Sequence, residues 1–388
     1  MTLNSRASFA ARRALEILML VLLLLSTAAA GPLSLGRERP KEYWAEKGKP
    51  SKAAAAKVGD ALKRAALPET SKAWMTLAEQ YSRLDHLAQA EPAAYEGTDK
   101  ETKAAWMSHG MPHLYDILHV ALKNETFIKE LWSSKGLKGD AAEQAYRDLL
   151  LAIIGHDSQQ VDFASPNKEK REEARLNHAF LGGVEAARAY LADPGTNPAG
   201  KVRALTLGLA AAGHSKSAVK LGNPAQMAEV VNNLATALGV TVTPAEVAKI
   251  IADAKPVAAM VGAIDALRER GALGGAVAPC GENVIYRIRT TPPPAIEVFN
   301  TKTDKVLKTF EGVGHRTFVE VHTKVSSVQF EDGRIRLAVE FADTRIPNEG
   351  RLDQIKDIAL DLIRLGIPVD AHWANESGGY EKKTWDAE

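Results

Sequence analysis

One cysteine, Cys280, serves the whole 388-residue chain. No intrachain disulfide can form, and zinc sites built from several cysteines are excluded. Net charge is equally scarce, because 49 Lys and Arg against 48 Asp and Glu leave +1. Such a balance carries no nucleic-acid signature and does not point to an acidic surface as partner. Long apolar runs are missing too. The stretch "ILMLVLLLL", Ile17–Leu25, is shorter than the roughly 20 residues a membrane span needs. Walker-type loops, G-x-G-x-x-G and G-x-S-x-G are all absent, and no internal repeat is visible.

What is present begins with an export pattern. Arg6, Arg12 and Arg13 form a basic region, the apolar stretch follows, and "STAAAG" offers a cut after Ala28-Ala29-Ala30, before Gly31. Residues 1–30 are expected to be a signal peptide, which places the mature chain in the periplasm or outside the cell with no stable membrane span. No cysteine follows the apolar run, which argues against a lipid anchor. A polar segment with Pro and Gly comes next, then two Ala-rich helices broken at Pro68, together making up 31–95.

Residues 96–272 have the 3.6-residue apolar period of a helical bundle joined by short loops. Pro112 suits the first turn of one helix, and Thr243-Pro244 is a capped start for another. "TPAEVAKIIAD" and "PVAAMVGAIDALRERG" read as separate helices, the second opening at Pro256. At 271–283 the composition turns to Gly, Ala and Pro, a boundary. Beyond it, from 281 to 388, the period becomes 2 in "VIYRIRT", "AIEVF" and "RIRLAVEF", with one amphipathic helix in "LDQIKDIALDLIRLG". The expected architecture is multi-domain α+β: an all-α bundle, then a small antiparallel β domain with one helix, whose protein partner is left open.

Ten histidines serve the chain, and six of them lie from His109 to His214. His109 precedes Pro112, just off a helix that His113 opens. His156-Asp157 ends the most apolar helix, "AYRDLLLAIIGHD". An adjacent His and Asp can both face one metal only where regular helix tightens or ends, which Gly155 suggests. His178 and His214 each sit on a further helix, and Asp265 is a lone carboxylate in "GAIDALRE". His315, His322 and His372, scattered over the tail, read as surface residues.

The order His, His-Asp, His, His, Asp resembles that of the HD-domain metal-dependent phosphohydrolase superfamily. The positions are His113, His156-Asp157, His178, His214 and Asp265, over about 160 of the 388 residues. Local contexts match as well: "HLYDI", the apolar "LLLAIIGHD", "HAFLGGVEAARAYL" with Gly182, Ala186 and Leu191 in step, and "AIDAL". "HGMPHLYDI" is further similar to the first motif of class I cyclic-nucleotide phosphodiesterases, through His109, His113, Asp116 and Ile117. Gly110 and Met111 stand where that class has Asn and an aromatic residue.

The resemblance implies an all-α HD-type bundle and a metallohydrolase. Its first shell would be His113, His156, Asp157 and Asp265, with Asp253 as runner-up for the last position. His178 and His214 would hold a second metal or the phosphate. His109 and Asp157 would be catalytic, His109 as the general acid that protonates the leaving oxygen. The cofactor would be one or two divalent ions, manganese, zinc or iron, suited to imidazole and carboxylate ligands. A small-molecule phosphoester or nucleotide would be the substrate, hydrolysed by a phosphodiesterase or nucleotidase. The competing reading is a non-catalytic envelope binding or scaffold protein built on a degenerate HD bundle. His119, six positions beyond His113 and so roughly 240° further round an ideal helix, should face away from the site.

Overall fold

The computed structural model describes residues 52–90, 111–159, 168–193, 200–215 and 219–272 in the helical part. In the C-terminal part it describes 284–289, 295–300, 303, 305–311, 323–341, 355–356, 358–374 and 380–387. The expected signal segment 1–30, the segment 31–50, His109, the Gly-rich boundary with Cys280, His315 and His322 lie outside these residues.

The class is α+β. Helices come first in the chain: α1 (Lys52–Arg64), α2 (Lys72–Ala90), α3 (Met111–Lys123), α4 (Glu125–Ser134), α5 (Gly139–Gly155), α6 (Lys168–Ala192), α7 (Lys201–Ala212), α8 (Pro224–Leu238) and α9 (Pro244–Ala272). Their ends follow the local chemistry. Asn223 accepts the Gln226 N–H at 3.1 Å ahead of Pro224, and Gly239 closes α8 in the left-handed region at φ 66°. Thr243 and Glu246 form a reciprocal box at the start of α9, with backbone-to-side-chain bonds of 2.7 and 3.2 Å.

The expected break at Pro256 does not occur, and α9 runs through it as one helix of 29 residues. Pro256 lacks the N–H that would bond the carbonyl of Ala252. Ala252 is exposed, so water can satisfy that carbonyl and the helix continues.

Helix α5 is the axis of the helical part. It touches α1, α2, α3, α4, α6, α7 and α9, which is why its second half, Leu149 to Gly155, is wholly buried. Helix α6 approaches it through small residues. A Cβ on Gly182 would stand 2.5 Å from the carbonyl oxygens of both Gly155 and His156. The buried face of α6 is set accordingly. Ala179, Val184, Ala186, Ala187 and Tyr190 are buried, whereas Leu181 and Leu191 are 42% exposed. Close backbone approach selected the small-residue face over the larger side chains.

Helices α1 and α2, read from sequence as a segment ahead of the bundle, share its core. Trp74, Leu77, Ala78 and Tyr81 recur at i, i+3, i+4 and i+7 and pack with Leu114, Ile117 and Ile154 in one continuous cluster. Arg64 pairs with Glu125 on α4 and with Glu143 on α5, the latter at 2.6 Å.

The strands are β1 (Val284–Arg289), β2 (Ala295–Asn300), β3 (Lys305–Glu311), β4 (Thr323–Glu331), β5 (Arg334–Phe341), β6 (Val369–Ala374) and β7 (Tyr380–Trp385). They form a three-stranded antiparallel sheet, β1-β2-β3, and a four-stranded sheet, β4-β5-β6-β7. The second sheet corrects the antiparallel expectation, because β5 and β6 are parallel. Between them lie helical residues 358–362 and the 3-10 turn Ile363–Leu365. A crossover of that kind returns the chain to the same end of the sheet, and a parallel neighbour results. The β4–β5 hairpin turns at Asp332-Gly333, with φ of 52° and 71°. Ile335, Leu337 and Val339 face inward at period 2, and β4 lies against α9. Among the described residues no helix is long and apolar enough to cross a membrane.

Candidate metal centre

His156 is the first residue past the end of α5, and His214 follows the last turn of α7. The closing carbonyls of a helix have no partner within it, and each of these histidines supplies one. The Nδ1 of His156 lies 2.7 Å from the Ile153 carbonyl, and that of His214 lies 2.7 Å from the Ala211 carbonyl. Nδ1–H is the donor in both contacts, which leaves Nε2 as the ring atom that points inward. His113 comes from the first turn of α3, His178 from α6 and Asp265 from α9.

Asp157 is the meeting point. Its Oδ2 lies 3.1 Å from His113 Nε2 and 3.3 Å from His156 Nε2. Its Oδ1 lies 3.3 Å from His214 Nε2 and 3.6 Å from His178 Nε2. One pair of imidazoles therefore faces each carboxylate oxygen. His113 and His156 are fully buried, Asp157 is 2% exposed and His214 8%. Burial by itself would raise the Asp157 carboxyl, but the imidazoles of His156, His113 and His214 outweigh it and hold the group well below the usual carboxylate range.

These residues fit a metal. Among the described residues neither oxygen of Asp157 accepts a well-directed hydrogen bond, and a buried carboxylate left so would be costly. His113 Nε2 and His156 Nε2 approach to 3.1 Å. Bonds of about 2.1 Å to a common tetrahedral ion place neighbouring ligand atoms about 3.4 Å apart, slightly wider than the 3.1–3.3 Å among His113, His156 and Asp157. Two groups could each hold a metal ion: His113, His156 and Asp157, and Asp157, His178 and His214, with ligand atoms within 4.8 Å of one another. The C-terminal ends of α5 and α7 also meet here, and their partial negative charge favours a cation.

Five of the residues singled out from sequence are thus brought together: His113, His156, Asp157, His178 and His214. Asp265 stands at the edge, its Oδ1 3.6 Å from His113 Nε2. Asp253 is exposed and paired with Lys249 at 2.8 Å, away from the cluster. Asp116 is buried but belongs to neither group. His119 stacks on Tyr115, ring centroids 6.1 Å apart, and is likewise outside both groups. His372 is half-buried on β6.

The sequence reading missed Tyr81. Its hydroxyl accepts the Asp157 backbone N–H at 3.1 Å and donates to the Ile154 carbonyl at 3.2 Å. Burial, and then the Asp157 charge, push its phenol well above the ordinary range, so it stays a neutral donor and acceptor. The period Trp74, Leu77, Ala78, Tyr81 was the available signal, since it makes Tyr81 the polar end of an inward-facing stripe. The chain matches no protein-family model, no curated protein and no solved structure.

Proposed function

We propose that this chain is an HD-type, metal-dependent phosphohydrolase, a phosphodiesterase or nucleotidase acting on a small-molecule phosphoester in an envelope compartment. The observation that carries the reading is Asp157: a buried carboxyl group with a separate pair of imidazole Nε2 atoms at each oxygen, all at 3.1–3.6 Å. The imidazole and carboxylate donor set suits manganese, zinc or iron. The two halves around Asp157 suit two such ions.

A divalent ion held there would supply a Lewis acid and a water of lowered pKa. The residues of the chain do the rest. Hydrolysis forms a bond from water oxygen to phosphorus, breaks the ester P–O bond and requires a proton on the leaving oxygen. His156 and His214 are locked by their Nδ1–H bonds, so their Nε2 atoms stay aimed at the centre. Tyr81 holds the backbone of the doublet. His178 and Asp265, with side chains 15% and 18% exposed, form the open side and are where substrate would enter. His109, two residues ahead of α3, is the proposed donor of the proton.

Purified full-length protein should carry divalent transition metal and hydrolyse a chromogenic phosphodiester. Asp157→Ala should abolish both. A chain that stays metal-free after reconstitution with manganese, zinc and iron would refute the reading. Metal without hydrolysis of any phosphoester would favour the scaffold alternative.

A further inference from the structure

The backbone carbonyls that carry His214 are gripped from the far end of the chain. Arg364, in the 3-10 turn Ile363–Leu365 ahead of β6, donates Nη2 to the Gly213 carbonyl at 2.5 Å and Nη1 to the His214 carbonyl at 2.9 Å. Its side chain is only 12% exposed, and its acidic neighbour Asp361 is 3.9 Å away. Burying a guanidinium against two carbonyls with so distant a counter-charge is expensive. What that arrangement achieves is fixation: the carbonyls of the two residues that follow α7 receive donors.

Helix α9 completes the joint. A Cβ on Gly262 would stand 2.9 Å from both Arg364 Nη1 and the His214 oxygen. A side chain there would force arginine and carbonyl apart. Gly262 precedes Asp265 by a single turn of α9, so the gap and the edge carboxylate lie on one rigid element.

The two halves of the centre are supported differently. His156 is held by α5 and Tyr81, which Arg364 does not bond. His214 has its ring fixed to Ala211 and its backbone fixed by Arg364. We infer that Arg364 is a positioning residue for the metal centre: it sets the His214 half, and through it the C-terminal unit governs whether that half is loaded. The inference rests on the metal-centre reading above and adds that the halves are separable.

The test uses the full chain and manganese alone, counting bound ions and their affinities by titration in wild type, Arg364→Lys, Arg364→Ala and Gly262→Ala. Outer partners of metal ligands are worth about 10–100-fold in affinity. Arg364→Lys keeps the charge but loses the two-pronged grip, so one of the two ions, that of the His214 half, should bind about 10-fold or more less tightly. The other should stay within about two-fold of wild type, well below that range. Gly262→Ala should give the same asymmetric pattern with the arginine itself unchanged, by wedging it from the His214 carbonyl. If Arg364→Ala does not fold, the other two variants decide. A merely structural role would lower the melting temperature and leave the ratio of the two affinities alone. Unchanged affinities, or equal loss at both halves, would overturn the inference. So would a single-ion wild type matched by its variants. A wild-type chain that takes up no manganese, zinc or iron overturns the metal centre itself, a distinguishable failure.

Discussion

Tyr81 has no place in a list of metal ligands, yet the Asp157 N–H has the Tyr81 hydroxyl as its acceptor. Tyr81→Phe removes that acceptor and leaves a buried donor unsatisfied, at a cost of about 1–3 kcal/mol. It should also let the doublet drift, weakening metal by about 10–100-fold. Denaturant unfolding and metal titration read the two effects, and unchanged affinity would limit Tyr81 to packing. The three histidines of "SHGMPHLYDILH" should part company in the same kind of experiment. His113→Ala should lose metal. His119→Ala should keep metal and rate while losing its stack on Tyr115, worth about 0.5–1.5 kcal/mol. His109→Ala should keep metal but slow hydrolysis by about 10²–10⁴ for poor leaving groups, and much less for p-nitrophenolate. Loss of metal would make His109 a ligand instead.

Among the elements, α5, α6 and α7 converge on the centre because glycine lets them. The Cβ added by Gly182→Ala would press on the carbonyls of Gly155 and His156, immediately before Asp157. Overpacking of this kind costs about 1–3 kcal/mol. The strain falls on the doublet, so metal retention should fall along with melting temperature. A fully loaded, equally stable variant would show that α6 can retreat.

The same helices carry a pH-sensitive pair. Asp148 on α5 meets Arg203 on α7 at 2.8 Å. Burial pushes Asp148 up to about 6 from 3.8, with Arg203 opposing and Asp253 adding to the shift. The folded state therefore binds this proton more tightly than the unfolded chain. The stability that results is fully present below pH 3.8 and is lost as the pH rises through about 6. Against Asp148→Asn as reference, wild type should lose stability over that window in chemical denaturation. A pH-independent difference would mean that Asp148 is ionised throughout.

At the scale of the molecule, the centre draws on α2, α3, α5, α6, α7, α9 and the turn before β6, so it exists only in the assembled fold. Metal that binds the native state alone stabilises it by mass action, by about 2.7 kcal/mol at 100 times the dissociation constant. Chelation should therefore lower the melting temperature of wild type and leave that of Asp157→Ala unmoved. Equal shifts in both would place the metal elsewhere.

The helical and strand periods, the caps at Asn223 and Thr243 and the turn at Asp332-Gly333 are local, and the sequence by itself determined them. The order His113, His156-Asp157, His178, His214 is legible for the same reason: each lies at a helix start or end or in an apolar helix, marked by its neighbours. Four things belonged to tertiary structure. Pro256 inside α9 is tolerated only because the carbonyl it abandons lies at an exposed residue. The parallel pairing of β5 with β6 depends on where a crossover lays the chain down. Tyr81 and Arg364 act on the site through bonds spanning 76 and 150 residues, and no period or motif records so distant a partner. The division of the Asp157 carboxylate between two imidazole pairs is likewise a matter of how helix axes cross. A sequence specifies that packing only through the sum of its contacts, because backbone approach at Gly182 and Gly262 is settled by both partners at once.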